Sequence, residues 1–209
     1  MIPLPVGRKS AYAARNRNAL IEAAQQILAE IGPALTIEDV AIRADMAVST
    51  VYKHFVNREQ LVNVALIAGM SDWESWAQQF SSETQDPLQS LVIPMRLFIK
   101  MNRTHPNYAQ MAINSDRALA NLLPVLSEGL AKHIRSLDAS GTLAVPNIDA
   151  SLANLSACLL AAFKVAVLDN DETLAQNQLR SALSLVGINA ETAEKLMAAP
   201  MPKTVELEN

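Results

Sequence analysis

The chain has 209 residues, half of them apolar and 18% charged, the balance of a globular protein of one domain or two small ones. Twenty-one acidic against seventeen basic residues give a net charge of -4, which argues against a general polyanion binder. Six scattered glycines form neither a GxGxxG nor a GxxxxGK loop, so the nucleotide enzymes that depend on those loops are excluded.

Abundant Ala, Leu, Gln, Glu and Met beside only 4% aromatics favour helix over strand, and the expected fold class is all-α. Within residues 1–21 stand the cations Arg8, Lys9, Arg15 and Arg17 and no anion, a basic solvated stretch. Leu20, Ala24, Ile27, Leu28 and Ile31 then recur at helical spacing and stop at Gly32 and Pro33. Thr36, with Asp39 three residues on, starts a short helix by a capping box; its apolar side is Ile37, Val40, Ala41 and Ala44. Asp45, Met46 and Ala47 interrupt it, and helical spacing resumes over 48–55 with Val48, Val51 and Phe55 as candidate inward residues. Asn57 caps one long helix that runs through Leu61, Val64, Ala65 and Ala68 toward Trp73, Trp76 and Phe80. Pro87 opens a further helix through 101, closed at His105 and Pro106 because a residue before proline leaves the α region. Residues 108–137 read as two helical pieces with Pro124 as the kink or break, 140–146 as a loop, and 149–168 and 173–186 as two strongly apolar helices. The residues after Pro200 read as a frayed tail.

The most apolar run, 157–168, has twelve residues and carries Lys164, whereas a bilayer span needs about twenty, so a buried helix is expected and no membrane partner. With no export signal near the N-terminus and Cys158 as the one cysteine, the expected compartment is the cytoplasm. His105 and His133 have no partners at metal-ligand or triad spacing, and neither a metal nor another cofactor is expected. Nothing assembles a nucleophile, a base and oxyanion donors, so no enzyme is read here.

Two short helices joined by a tight turn are the layout of a helix-turn-helix, whose second helix enters the major groove of DNA. The residues sharpen it. Thr36 to Ala41, Ala44, Thr50 to Phe55 and Arg58 to Leu61 closely resemble the N-terminal signature of TetR-family transcriptional regulators. Two positions depart from the pattern: Asp45 stands where the family usually has Gly in the turn, and Ala47 where it usually has the Ser that caps the reading helix. The resemblance implies a three-helix DNA-binding head over 1–56, a ligand-binding and dimerisation domain over 57–200 and a tail over 201–209. It further implies phosphate contacts from Thr36, Tyr52 and Arg58. On the reading helix, Lys53 and His54 offer polar groups to backbone or base edges. Val48, Ser49 and Thr50 present methyl and hydroxyl groups there, and Val48 serves equally well as core.

In the larger domain, Trp73, Trp76, Phe80, Met95, Phe98, Met101, Met111 and Phe163 recur at helical spacings, either as core packing or as the wall of an apolar pocket. The pocket reading takes Trp76, Phe80, Met95, Phe98, Met101, Met111 and Phe163 as ligand contacts, with Arg96, Lys100, Arg103 and Arg117 on the outer face. Leu152, Leu155, Leu159, Phe163 and Val167 form one apolar stripe and Leu179, Leu183 and Val186 another. They are expected to pair with a second copy as a four-helix bundle, in which Ala157, Ala161 and Ala162 let the backbones approach. The function expected is a homodimeric regulator, a repressor in most of the resembled family. It would bind a near-palindromic double-stranded DNA operator and be released by an apolar or amphipathic small-molecule effector. The rival reading is a helical scaffold or adaptor without specific DNA binding, suggested by Asp45, Ala47 and the net acidity.

Overall fold

The structure, a computed structural model, describes the backbone of residues 6–114 and 116–201 and the side chains of 10–114 and 128–201. Among the described residues the chain is helical, without strands: α1 (Val6–Ile31), α2 (Ile37–Arg43), α3 (Val48–His54), α4 (Arg58–Ser82), α5 (Pro87–Ile99), α6 (Met101–Thr104), α7 (Pro106–Ile113), α8 (Asp116–Ala139), α9 (Ile148–Leu168), α10 (Glu172–Ala182) and α11 (Ala190–Ala198). Single 3-10 turns over Gly32–Ala34 and Leu183–Val186 succeed α1 and α10.

Local chemistry sets the helix starts. Thr36 Oγ1 accepts from Asp39 N at 3.1 Å while Asp39 Oδ2 accepts from Thr36 N at 3.1 Å, the reciprocal capping box expected for α2. Asn57 Oδ1 accepts from Gln60 N at 2.8 Å and opens α4. Asp86 Oδ1 accepts from Leu88 N and Gln89 N, with Pro87 in the first turn of α5, where a missing N–H costs nothing.

Between α2 and α3, Asp45 takes a left-handed φ of 53°, the conformation for which glycine is the usual residue. Asp45 N donates to Ile42 O at 3.1 Å and Met46 N to Ala41 O at 2.8 Å, the paired bonds of a Schellman ending. Aspartate thus makes the turn without glycine. Ala47, by contrast, precedes α3 with no side-chain hydrogen bond to its free amides.

Two buried clusters organise the packing. In the first, Leu20, Leu28, Val40, Val51, Phe55 and Leu61 close α1 to α3 against the start of α4, and the cluster continues through Leu66, Met70 and Trp73 to Phe98 and Phe163. The second gathers Leu91, Ile99, Leu155, Leu179, Leu183 and Val186 among α5, α9, α10 and the turn after it. Polar ties cross from head to body: Gln25 Nε2 donates to Ala65 O at 3.0 Å, and Asn114 Nδ2 donates to Ala29 O at 3.3 Å and Leu28 O at 3.5 Å.

Several expectations change. Helix α1 starts at Val6, so the basic stretch is helical, with exposed side chains from Ser10 through Arg15. The break in 108–137 falls at Asn114, whose amide is taken up by α1, and α8 continues through Pro124. Lys100 divides the helix expected over 87–101 into α5 and α6. Helix α9 is buried on one face only, by Leu155, Leu159, Ala162, Phe163 and Ala166; Ala150, Ala153, Ala157 and Ala161 are exposed. Arg96 turns inward and is 8% exposed, because its guanidinium donates to Ala199 O at 2.8 Å and Leu196 O at 3.2 Å and so closes α11. Arg117 and the tail over 202–209 lie outside the described side chains.

The uncapped reading helix generates a prediction. Ala47→Ser supplies the missing acceptor and should raise unfolding stability by about 1 kcal/mol, whereas Asp45→Ala places a residue without a local hydrogen bond at positive φ and should cost about 1 kcal/mol. Urea melts of the two variants check both signs.

Candidate functional site

Helix α3 has two well-separated faces. Val51 and Phe55 are fully buried, and Val48 and Met46 pack partly against the same cluster. Opposite them Ser49, Tyr52 and Lys53 are exposed, Tyr52 at 54% despite its size, and Thr50 and His54 are half-exposed. Thr36 is exposed at the start of α2, its hydroxyl donating to Asp39 Oδ2 at 2.6 Å. Thus Thr36, Ser49, Thr50, Tyr52, Lys53 and His54 are open to a partner, while Val48 is shared with the core.

Two arginines expected to face DNA are engaged elsewhere. Arg58 Nε donates to Leu35 O at 2.6 Å and its Nη2 to Pro33 O, so the side chain fastens the start of α4 to the connection between α1 and α2. This tie holds the guanidinium beside the start of α4, and Arg58 is half-exposed there. Arg17 donates from Nη1 to His54 O at 3.2 Å and lies 4.5 Å over the Phe55 ring, which places a cation at the C-terminal end of α3. Arg15 stays exposed, and the side chains of Arg8 and Lys9 lie outside those described.

The second candidate site is a cavity of about 210 Å³ enclosed by α4, α5, α7, α8 and α9. Of the expected contacts, Met95 and Phe98 line it. The others do not line this cavity: Met101, Met111 and Phe163 are fully buried, with Phe163 stacked on Phe98 at 4.7 Å. Trp76 and Phe80 turn to each other edge to face at 4.9 Å, and Trp76 meets the His105 ring at 4.5 Å. Lining residues that sequence reasoning missed come from several helices, and on α4 Glu74, Ala77, Gln78 and Ser81 join Met70 and Trp73 along one side. The i, i+4 and i+8 spacing of Trp73, Ala77 and Ser81 was a legible signal, but an expectation of an apolar wall passes over its polar members.

Polar groups in the lining are few. Burial holds the His133 imidazole below its ordinary range, and the ring stands 3.1 Å from Ser90 Oγ. Burial raises the Glu74 carboxyl, partly offset by the Gln78 amide, with Glu128 adding repulsion. At Gly129 on α8 a Cβ would stand 2.5 Å from Glu74 Oε1, the end of a side chain free to swing aside.

Most residues expected at the dimer contact face inward in the single chain. Leu155, Leu159, Phe163, Leu179, Leu183 and Val186 are buried inside the single chain, and Leu152 packs half-buried against the same cluster. Their buried members face α5 and each other, and Leu152 and Val167 keep part of their surface exposed.

An open reading helix on a three-helix head, joined to a helical body with an apolar cavity, defines a helix-turn-helix protein with a ligand domain. The model for bacterial regulatory proteins of the tetR family matches residues 20–65, and that for the tetracyclin repressor-like C-terminal domain matches residues 86–199. The chain belongs to the TetR family, whose members are transcriptional regulators and not enzymes. Among solved structures it is similar to RolR in complex with resorcinol, at TM-score 0.74 and 22% identity over 92% of this chain and 98% of that one. It is also similar to ligand-free RolR, at TM-score 0.73 and 20% identity over 88% and 98% of the two chains. The fatty acid degradation regulator FadR from Bacillus halodurans is similar at TM-score 0.61 and 17% identity, over 82% of this chain and 99% of that one. At these identities the likeness is one of fold. No curated relative matches the sequence.

The relocation of Arg58 is testable. Arg58→Ala should lower stability by about 2 kcal/mol, the range of hydrogen bonds made by a charged donor. An intact melting midpoint in the variant would contradict the tie to Leu35 and Pro33.

Proposed function

We propose that the protein is a ligand-responsive repressor that binds a near-palindromic operator as a homodimer in the cytoplasm and releases it when a small effector enters the cavity. The observation that carries the reading is the division of α3: Val51 and Phe55 anchor it, and Ser49, Thr50, Tyr52, Lys53 and His54 are left outward as a set able to reach phosphates and base edges. Thr36 joins them at the start of α2, where a helix N-terminus favours a phosphate.

Charge supports this reading as well. Residues 1–60 carry seven basic and six acidic side chains, a net of +1 on a chain of -4, so the head is the part that approaches DNA. The effector is a small, largely apolar molecule, as the Trp73, Phe98, Met70, Met95 and Leu159 walls imply. RolR, a protein of the same fold, is solved with resorcinol, a one-ring aromatic, and the cavity here is of corresponding scale.

Dimerisation is assigned to the outer faces of α9 and α10. Ala150, Ala153, Ala157 and Ala161 give α9 a smooth exposed stripe, and Leu168 and Leu174 stand exposed at the corner between the helices. Small side chains let helix backbones approach closely. Sedimentation should show a dimer at micromolar concentration, and Ala157→Glu should yield a folded monomer; a monomeric unmodified protein would contradict the assignment.

Selection from a random DNA pool, combined with salt titration, tests the central claim. A near-palindromic sequence should be enriched, and Lys53→Ala should flatten the slope of log K against log salt by about 0.9, one phosphate contact, without altering the melting midpoint. If no sequence is enriched over bulk DNA, the scaffold reading stands instead.

A further inference from the structure

Helix α3 is short for the task given to it. It has seven residues, and Ala47 leaves its first amides without a side-chain acceptor. A helix of so few turns has little stability of its own and takes its position from what it packs on. Val51 and Phe55 hold it down by burial, a non-directional force that fixes depth better than tilt. Direction comes from hydrogen bonds, and the C-terminal end of α3 receives one from another helix.

That bond is made by Arg17. Its Nη1 donates to His54 O at 3.2 Å, across 37 residues of chain, while its guanidinium carbon stands 4.5 Å from the centre of the Phe55 ring. The two contacts fall on consecutive residues: the last residue of α3, and the buried side chain that anchors it. A planar guanidinium can serve an acceptor with its edge and an aromatic ring with its face. The open acceptors and partial negative charge of a helix C-terminus favour a cation there as well. Arg17 stands three residues before Leu20, the first buried residue of α1 among those described, so the grip is mounted on a helix rooted in the core.

The outward polar groups crowd toward this same end. Tyr52, Lys53 and His54 are the last three residues of α3, the first two exposed and the third half-exposed. A hydrogen bond to a base edge tolerates a range of about 0.5 Å in length. A helix end that swings by more than this presents the right groups in the wrong places.

We propose that Arg17 is a positioning residue for DNA recognition: by gripping the His54 carbonyl and the Phe55 ring it keeps the C-terminal end of α3 in register with base edges, without itself touching DNA. The inference rests on the DNA-binding reading above and deepens it. Its signature is opposite to that of a phosphate contact. Loss of a phosphate contact flattens the salt dependence and weakens all DNA alike, whereas loss of orientation lowers the fraction of competent heads and weakens the selected sequence alone.

Two variants of the full chain test it. Arg17→Met keeps a long stem and removes donor and charge; Arg17→Lys keeps the charge and one donor. Binding is measured, well below each melting midpoint, to the sequence that the unmodified protein selects from a random pool and to a random-sequence duplex. Arg17→Met should lose about tenfold on the selected sequence, the worth of one charge-assisted hydrogen bond. Its slope of log K against log salt should stay unchanged, it should bind the random duplex as the unmodified protein does, and Arg17→Lys should recover part of the loss. In the DNA-free Met variant, amide hydrogen exchange should quicken over 50–55 and stay unchanged in α9 and α10. A slope flatter by about 0.9 would make Arg17 a phosphate contact and overturn the proposal. Equal losses on the two DNAs, no recovery by lysine, or unchanged exchange in α3 would overturn it too. The two readings fail separately: if the unmodified chain selects no sequence, the operator reading falls and takes the inference with it. If it selects one that Arg17→Met binds undiminished, the inference alone falls.

Discussion

Everything the head can do depends on how the end of α1 is held. Gly32 leaves the helix at a φ of 58°, and a Cβ there would stand 2.8 Å from Asn114 Cβ. Into the space so provided comes the Asn114 amide, donating to the Leu28 and Ala29 carbonyls that the end of α1 leaves open. One side chain of the body thereby joins the Gln25 to Ala65 bond and the buried cluster in holding the helix on which α2 and α3 are built. Ala112, two residues before Asn114, lines the cavity, so the element that borders the cavity is followed by the group that holds the head. A ligand that binds better when α7 sits in one position has, through this short path, a differential hold on the head.

Three arginines are put to the same use. Arg17, Arg58 and Arg96 all donate to backbone carbonyls at places where a helix or turn ends: His54, then Pro33 and Leu35, then Leu196 and Ala199. Helix C-termini carry unsatisfied acceptors and a partial negative charge, and a guanidinium serves both needs at once. The consequence for function is subtractive. Cations that a count of charges would assign to DNA or to an anionic ligand also serve the architecture.

The fold class and the reading helix were legible because both rest on local signals. The Thr36 and Asp39 capping box, the Asn57 cap and the inward pair Val51 and Phe55 are spacings within a few residues, and each forms as read. Errors arose where a long-range partner decided the outcome. Arg58 meets carbonyls some 23 and 25 residues away, and Arg96 meets carbonyls 100 and 103 residues away, contacts that no local pattern encodes. The leucine stripes of α9 and α10 were correctly apolar, but periodicity cannot tell a core face from a subunit face. Helix α11 went unread because Ala193 and Leu196 alone form its buried side. The cavity wall on α4 was missed for the opposite reason: its polar members Glu74, Gln78 and Ser81 look like solvent-facing residues, and Gln78 does stay exposed while it borders the cavity.

Helix α9 presents Ser156, Leu159 and Leu160 to the cavity and Ala153, Ala157 and Ala161 to the outside. A helix is a rigid rod about 10–12 Å across with its side chains, so it cannot retreat from a larger ligand without advancing its other face by the same amount. Divergence in what the cavity admits is therefore steered toward α4 and α5, where exchange of Met70 or Met95 alters the lumen and leaves the outer surface untouched. If the proposed effector and dimer faces hold, ligand range and assembly geometry are coupled on α9 and free to drift apart on α4 and α5.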